Sequence, residues 1–329
     1  MREYTNRTSS AKKQRIGNVL RAFAIGGLLC VSACAPSGPH PASMQTADVQ
    51  QRVFATPEQA VDALVSATRN DQKAELMKIM GPGADKLIHS GDAVADAESR
   101  ARFLAAYDKA HEIRSEDDNR YVLVVGEEEW PLPIPLVRAK GGWWFDTAAG
   151  EEEVLNRRVG RNELNVIGIC RAYVEAQQEF AAQHPFDGNE HEYAQRFKSS
   201  AGKHDGLYWP VATGQPESPF GSLIADATAQ GYSDKAMSRH APYHGYYFKI
   251  VKRQGAHASG GAKSYVAGGH MTGGFALIAF PASYGDSGVM TFIISQNGIV
   301  YEKNLGPDTA KIARQIMQFD PDNSWNIVR

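Results

Sequence analysis

The residues best suited to chemistry are histidines and acids in the middle of the chain. They are His184, Asp187, Glu190, His191, Glu192, His204 and Asp205. A metal site needs converging ligands, and this stretch has neither the His-x-x-x-His spacing of a helix nor paired cysteines. We therefore predict solvated loop residues here, with no metal and no cofactor.

A second group is aromatic. Tyr246 and Phe248 fall on one face of a predicted strand and Tyr247 on the other. Aromatic rings on a surface can stack against a sugar or a protein partner. Burial in the core is the favoured interpretation for the strand, and a ligand surface is the alternative. The candidate ligand surface consists of Tyr208, Trp209, Tyr243, His244 and Tyr247.

Nucleophilic catalysis has weaker support. Ser287 lies in a Gly-Asp-Ser-Gly segment that is similar to the nucleophile segment of trypsin-like proteases. That mechanism also needs a His and an Asp on two β-barrels, whereas the first half here is helical in pattern, so a turn is favoured. The glycine-rich segments lack the lysine of a phosphate loop, which predicts no nucleotide site. The sequence therefore predicts no catalytic residue. An enzyme would need His204, Asp205, His244 and His270 to converge on one cleft.

Composition limits the partners. The formal net charge of -2 gives no basic stripe for nucleic acid. The three cysteines are Cys30, Cys34 and Cys170. Cys170 falls in an apolar stripe, which predicts a buried, unreactive thiol.

The first residues predict an export signal. A basic stretch precedes an apolar run at 22–33, which is too short to span a bilayer and fits a signal peptide. Val31-Ser32-Ala33-Cys34 resembles a bacterial lipobox, which implies lipid attachment at Cys34. The alternative is a signal peptide cleaved near Ala35 without lipidation. Because Ala35 rather than Asp follows the cysteine, the resemblance implies the periplasmic face of the outer membrane.

The chain divides into four predicted parts. Residues 1–33 are the signal peptide, and 34–53 are a lipidated, flexible tether rich in Pro, Ser and Ala. Residues 54–149 form a small α+β domain with a helix that begins at Pro57 and further helices at 73–80 and about 96–112, followed by strands at 121–125, 136–138 and 143–145. Residues 150–329 are the fourth part.

The fourth part begins with a long helix over 150–183, which Gly160 is able to interrupt. Strands at 246–251, 275–280, 290–294 and 299–301 follow, separated by tight turns that include Asn297-Gly298. We expect an antiparallel meander packed on the long helix, with helices at 221–230 and 309–317. The predicted fold class is α+β.

Several sequence blocks suggest a family. They include Gly81-Pro82-Gly83-Ala84, Gly160-Arg161-Asn162-Glu163-Leu164, Gly206-Leu207-Tyr208-Trp209-Pro210 and Leu305-Gly306-Pro307-Asp308-Thr309. Together they resemble an uncharacterised bacterial exported family, domain of unknown function 2950. The resemblance covers nearly all of the chain after Phe54 and implies a periplasm-facing protein without an assigned activity.

Residues 160–305 also resemble the globular heads of type IV pilins and pseudopilins, which pack a meander sheet on one long helix. Pilins begin with a long apolar helix, and here a separate domain precedes the helix, so only the fold is expected to carry over.

The leading functional hypothesis is a membrane-anchored envelope lipoprotein that acts as a non-enzymatic binding or scaffold module. Its partners would be the membrane, through the lipid, and an envelope protein or glycan. One alternative is an enzyme acting on envelope glycan or peptidoglycan in a cleft between the domains. Another is a component associated with pili or secretion.

Overall fold

A computed structural model describes residues 50–139, 141–184, 186, 191–212, 214–233 and 241–328. The predicted signal peptide, Cys34 and most of the predicted tether lie outside the described residues. Within the described part, no helix is both long enough and apolar enough to cross a bilayer.

The helices of the described chain are α1 Pro57–Arg69, α2 Lys73–Met80, α3 Ala84–Ile88, α4 Ala93–Lys109, α5 Thr147–Gln183, α6 Gly221–Ala229 and α7 Thr309–Gln315. The first strands are β1 His111–Asp117, β2 Arg120–Val125, β3 Trp130–Pro131, β4 Leu136–Ala139 and β5 Gly142–Phe145. The later strands are β6 Tyr246–Val251, β7 Arg253–Gln254, β8 Lys263–Ser264, β9 Val266–Ala267, β10 His270–Met271, β11 Ala276–Pro281, β12 Met290–Ser295, β13 Val300–Asn304 and β14 Asn326–Ile327. The mixed α+β class is confirmed.

The first half packs helices α1 to α4 near an antiparallel sheet ordered β1-β2-β4-β5, with β3 beside β2. Thr56 caps α1 by accepting from the Gln59 amide at 3.3 Å, and Pro57 occupies the first turn, as predicted. The predicted bounds of α2 are also confirmed. One apolar core, formed by buried residues between Phe54 and Phe145, holds this half together.

The predicted third helix is displaced. Asp92 caps α4 by accepting from the amides of Val94 at 3.2 Å and Ala95 at 3.1 Å, so the helix begins at Ala93. It ends at Lys109, and Glu112 belongs to β1 instead. The prediction missed β1 because its sequence, HEIRSED, is charged and almost wholly exposed, and so lacks the alternation that marks a strand.

The predicted tether also ends too late. The Gln51 amide donates to the carbonyls of Ile79, Met80 and Phe145 at 3.1, 3.0 and 2.7 Å. The Arg52 guanidinium pairs with Glu75 at 2.6 Å. The body therefore already includes Gln51, three residues before the predicted start at Phe54.

The long helix α5 runs through 37 residues without a break, so Gly160 does not interrupt it. It begins at Thr147 because the Asp146 side chain accepts from the Ala149 amide at 3.2 Å. Cys170, Tyr173 and Phe180 of the predicted apolar stripe are buried, whereas Leu164 is 72% exposed and does not belong to the core.

The second half is the predicted meander. Its antiparallel sheet has the order β14-β13-β12-β11-β6, and Ile294 pairs with Val300 across the predicted Asn297-Gly298 turn. The face of the sheet that carries Tyr246 packs against α5, where the Tyr246 hydroxyl lies 3.3 Å from the Glu163 carboxylate. The opposite face meets α7, where the Lys249 ammonium donates to the carbonyls of Ala313 and Arg314, each at 3.1 Å. The sheet is therefore covered by a helix on each face.

A second apolar core, formed by buried residues between Val166 and Phe319, holds this half together. Both cores belong to one compact unit of the chain. The division into domains at residue 150 stays a prediction.

Candidate functional site

A polar cleft lies where α4, α5 and the turn before β6 come together. Its volume is about 280 Å³. All the lining side chains except that of Ala95 are polar or charged; they include Asp96, Glu98, Arg102, Arg158, Arg161 and His244. The first half of the chain supplies α4, whereas α5 and the turn belong to the second half. The cleft therefore depends on how the two halves meet.

The arginines of the cleft differ in their partners. Arg102 pairs with Glu98 one turn away on α4. Arg158 donates to the backbone carbonyl of Lys86 at 2.7 Å and to that of Leu87, and makes no ion pair with a described carboxylate. Arg161 makes neither a hydrogen bond nor an ion pair with any described residue, so the cleft contains cations without a bound counter-charge.

Burial and mutual repulsion act on these cations. Burial lowers the pKa of Arg158, whereas the nearby charges of Asp96 and Asp286 raise it and that of Arg161 lowers it. Partial burial lowers the pKa of Arg161, which remains exposed, and the charge of Arg102 adds to the effect while that of Glu98 opposes it. An anion bound in the cleft would offset both the loss of hydration and the mutual repulsion of these arginines.

His244 lies at the edge of the cleft in an uncommon backbone conformation, with φ of +49°. Its amide donates to the Tyr232 hydroxyl at 3.2 Å, and its ring lies 4.2 Å from the Tyr243 ring between centroids. Burial lowers its pKa, which favours the neutral imidazole. A neutral imidazole can both donate and accept a hydrogen bond from a ligand.

Asp92 holds this turn in place. Its carboxylate is buried and accepts from the Tyr232 hydroxyl at 2.9 Å and from the Gly245 amide at 2.8 Å. The same side chain caps α4. One buried carboxylate therefore fixes both the helix and the turn that border the cleft.

An apolar cavity of about 650 Å³ adjoins the polar cleft. The two share part of their lining, and the shared residues are Asp96, Ser99, Arg102, Arg158 and Arg161. Deeper in the cavity the lining is aliphatic and aromatic, with Leu76, Met80, Phe103, Leu132 and Ile134. Predominantly apolar cavities of this size with a few polar groups are typical of small-molecule sites.

Helix α4 borders this cavity and packs only partly against the first core, through Phe103, Leu104, Ala106 and Tyr107. None of its 17 residues is buried, although Phe103 and Ala106 face the cavity. A helix that lies over filled space buries its apolar side, so the exposure of α4 follows from the empty volume beneath it.

The five residues of the candidate ligand surface lie in different places. Tyr243 is 2% exposed and belongs to the core, where its ring meets Tyr232 at 4.8 Å. Tyr247 is on the α7 face of the sheet, against Phe280 at 5.6 Å. His244 alone of the five lines the polar cleft.

Tyr208 and Trp209 lie in the long connection between α5 and α6. The backbone of Tyr208 bonds Phe197, with its amide 2.8 Å from the carbonyl. Trp209 is 8% exposed and stacks on His204 at 4.2 Å. As a ligand surface the five residues stay a prediction. The favoured interpretation of Tyr246 and Phe248 as core residues is confirmed.

The remaining chemistry-bearing residues have separate local partners. Asp205 accepts from the Ser200 amide at 2.7 Å, and His270 contacts Glu192 at 3.0 Å. Among the described residues, no interaction joins His204, Asp205 or His270 to His244, and no group of three potential ligands could hold a metal ion. Asp187 and Glu190 lie outside the described residues.

Ser287 is buried in the predicted turn. Its hydroxyl donates to the Ser283 carbonyl at 3.0 Å, and the Asn162 amide holds the Ser287 carbonyl at 2.9 Å. Ser287 is therefore a structural residue of the turn. Cys170 is fully buried, as predicted, and burial raises the pKa of its thiol to about 12.

The sequence reasoning missed most of the cleft. Arg158 and Arg161 are three residues apart on a predicted helix, and this spacing places them on one face. That signal was available, but nothing local indicates that the face meets α4. The residues present suit binding of a polar or anionic group, with an apolar part extending into the adjoining cavity.

The mixed fold and the cleft together define an α+β protein with a polar cleft between α4 and α5. The model of the family described as protein of unknown function (DUF2950) matches residues 51–328. The chain belongs to this family, as its sequence blocks predicted. Comparisons with curated proteins and with solved structures find no match. The resemblance to pilin heads is not confirmed.

Proposed function

We propose that this protein is a lipid-anchored binding module of the bacterial cell envelope, held at the periplasmic face of the outer membrane through Cys34. Its working site is the polar cleft between α4 and α5 together with the adjoining apolar cavity. The module binds its ligand without chemical conversion.

The binding role is supported mainly by the continuity of the polar cleft with the apolar cavity. The two share Arg158 and Arg161 in their linings. Cations without a carboxylate partner suit recognition of a ligand. A hydrolytic site would instead need a nucleophile or base aimed at a second reacting group. His244, Asp96 and Glu98 are the residues of the cleft that could act as a base. Glu98 pairs with Arg102, and Asp96 accepts from the Ser90 amide at 3.1 Å.

The anchoring is supported by the order of segments at the start of the chain. A basic stretch, a short apolar run and Val31-Ser32-Ala33-Cys34 follow one another as lipoprotein export requires. The family that the chain belongs to has no assigned activity to set against this interpretation.

Mass spectrometry of the protein isolated from its native cells tests the anchor. We expect the first residue to be Cys34 with attached lipid, in the outer-membrane fraction, and Cys34→Ser to release the protein from that fraction. An unmodified chain beginning at Met1 in the cytosol would overturn the anchoring.

Incubation with envelope glycan and peptidoglycan tests the binding role against the enzyme. We expect no released fragments from the intact protein or from its His244→Asn variant. Hydrolysis that His244→Asn abolishes would establish the enzyme instead. Specific capture of pilus or secretion proteins by the intact protein, unaffected by substitution of Arg161, would favour the third function.

A further inference from the structure

The apolar cavity is a large pocket that is partly open to solvent. Its volume is about 650 Å³, and its lining is mostly apolar, although Glu127, Glu128 and Trp130 are exposed. Apolar surface left in contact with water costs free energy, at roughly 25 cal/mol per Å². A pocket of this size and lining is the form expected of a site that accepts an apolar group.

The polar end of the cavity is cationic. Arg158 and Arg161 lie at the boundary that the cavity shares with the polar cleft, and neither pairs with a described carboxylate. Three arginines, Arg102, Arg158 and Arg161, stand against two carboxylates, those of Asp96 and Glu98, and Glu98 pairs with Arg102. This end therefore has positive charge to offer to a ligand.

A third arginine, Arg157, lines the cavity and pairs through its Nε with Glu153 on α5. Its guanidinium lies over the Trp130 ring at 4.4 Å. Because Glu153 already balances its charge, Arg157 is not assigned to the ligand head.

Resting on the binding role proposed above, we infer that the ligand is an anionic amphiphile, with its acyl or similar apolar tail in the cavity beneath α4 and its carboxylate or phosphate head at Arg158 and Arg161. The orientation follows from charge. Glu127 and Glu128 line the other part of the cavity near Trp130, where an anionic head would be repelled.

Ligand titration of the mature chain, residues 34–329 with Cys34→Ser to avoid attached lipid, tests the tail. The probes are saturated fatty acids of increasing length, below their micelle concentrations, measured by displacement of a fluorescent fatty acid. We expect affinity to rise about fourfold per added methylene until the cavity is filled, and then to level off. Binding that is absent, or independent of tail length, would overturn the inference.

The head is tested with ligands of one tail length. We expect a monoacylglycerol to bind at least about tenfold more weakly than the fatty acid, since it lacks the charge. If a monoacyl phosphate binds more tightly than the fatty acid, the ligand is assigned to the phospholipids. If the fatty acid binds more tightly, the ligand is assigned to the free fatty acids. Equal affinity for charged and uncharged heads would overturn the anionic assignment.

Two matched pairs of variants locate the site. Arg161→Gln should weaken the anionic ligands about tenfold and leave the monoacylglycerol unchanged, whereas Arg171→Gln, exposed further along α5, should change neither. Ala106→Trp should shorten the tail length at which affinity levels off, whereas Ala101→Trp on the exposed side of α4 should not. If Ala106→Trp fails to fold, the tail-length series on the unaltered chain still tests the inference.

The outcomes separate this inference from the proposed function. A chain that is lipidated in the envelope but binds no amphiphile would overturn the inference and leave the anchored module standing. A cytosolic, unlipidated chain that binds fatty acids through Arg161 would overturn the anchoring and leave the ligand class standing.

Discussion

The hydroxyl of Tyr232 donates a 2.9 Å hydrogen bond to the carboxylate of Asp92, 140 residues earlier in the chain. Both residues are buried. Asp92 also caps α4 and accepts from the Gly245 amide at 2.8 Å. The start of α4 and the turn that carries His244 are therefore fixed to one carboxylate, and the shape of the cleft depends on this bond.

Removing the Tyr232 hydroxyl should destabilise the protein. Tyr232→Phe leaves a buried carboxylate with one donor fewer and deprives the His244 amide of its acceptor. We expect the free energy of unfolding to fall by about 1–3 kcal/mol, measured by urea denaturation.

Tyr247→Phe is the matched control, because the Tyr247 hydroxyl makes no hydrogen bond within the described chain and its ring lies on the far face of the sheet. It should change the free energy of unfolding by less than about 0.5 kcal/mol. Equal effects of the two substitutions would contradict a special role for the bond to Asp92.

His244 should make stability depend on pH. A histidine in the unfolded chain has a pKa of about 6.5. Burial lowers the pKa of His244 in the folded protein. Between the two values the unfolded state binds more protons, so the free energy of unfolding decreases as pH falls through this window. Above the unfolded pKa the contribution is constant.

Urea denaturation at pH 7.5 and at pH 5 measures this effect. His244→Asn should reduce the loss of stability at pH 5, and Asn tolerates the positive φ of this position. The exposed His191, whose side chain makes no hydrogen bond or ion pair with a described residue, provides the comparison, and His191→Asn should leave the loss unchanged. A His244→Asn protein that loses as much stability at pH 5 as the original chain would contradict the assignment.

Sequence patterns were sufficient where the controlling interactions are local. Thr56 and Pro57 mark the start of α1, and the Asn297-Gly298 turn fixes the pairing of β12 with β13. These signals depend on backbone conformation within a few residues. The charged strand β1 has no such signal, because its place in the sheet comes from pairing with the apolar β2.

The cleft could not be predicted for a related reason. Asp92 has the sequence of a helix cap, but its bonds to Tyr232 and Gly245 join segments about 150 residues apart. Arg158 and Arg161 look like ordinary charges on a solvent-exposed helix face. They line a cleft only because α4 lies across this face of α5, and the position of α4 is set by tertiary packing.

Cys170 should resist modification in the folded protein. It is fully buried, and burial raises the pKa of its thiol to about 12, so the reactive thiolate is scarce at neutral pH. We expect a maleimide at pH 7.5 to leave the Cys170 peptide unlabelled, as read by mass spectrometry, and to label it fully in 8 M urea. Rapid labelling of the native protein would mean that α5 opens from the sheet.

Two glycines should respond oppositely to alanine. Gly245 has φ of +76°, and an added Cβ would lie 2.7 Å from the Asn162 amide nitrogen, which already holds the Ser287 carbonyl. Gly245→Ala should therefore lower the free energy of unfolding by more than about 1 kcal/mol. Gly160 lies within α5, and an added Cβ there meets nothing within 4 Å.

Gly160→Ala should raise the free energy of unfolding by about 0.5–1 kcal/mol, because alanine loses less backbone freedom than glycine on entering a helix. Urea denaturation of both variants measures the contrast, and ligand affinity measured alongside separates stability from binding. A loss of stability in Gly160→Ala would mean that this part of α5 contacts something that the described residues do not supply. Gly245→Ala changes the turn that carries His244, so it should weaken ligand binding even where the protein remains folded.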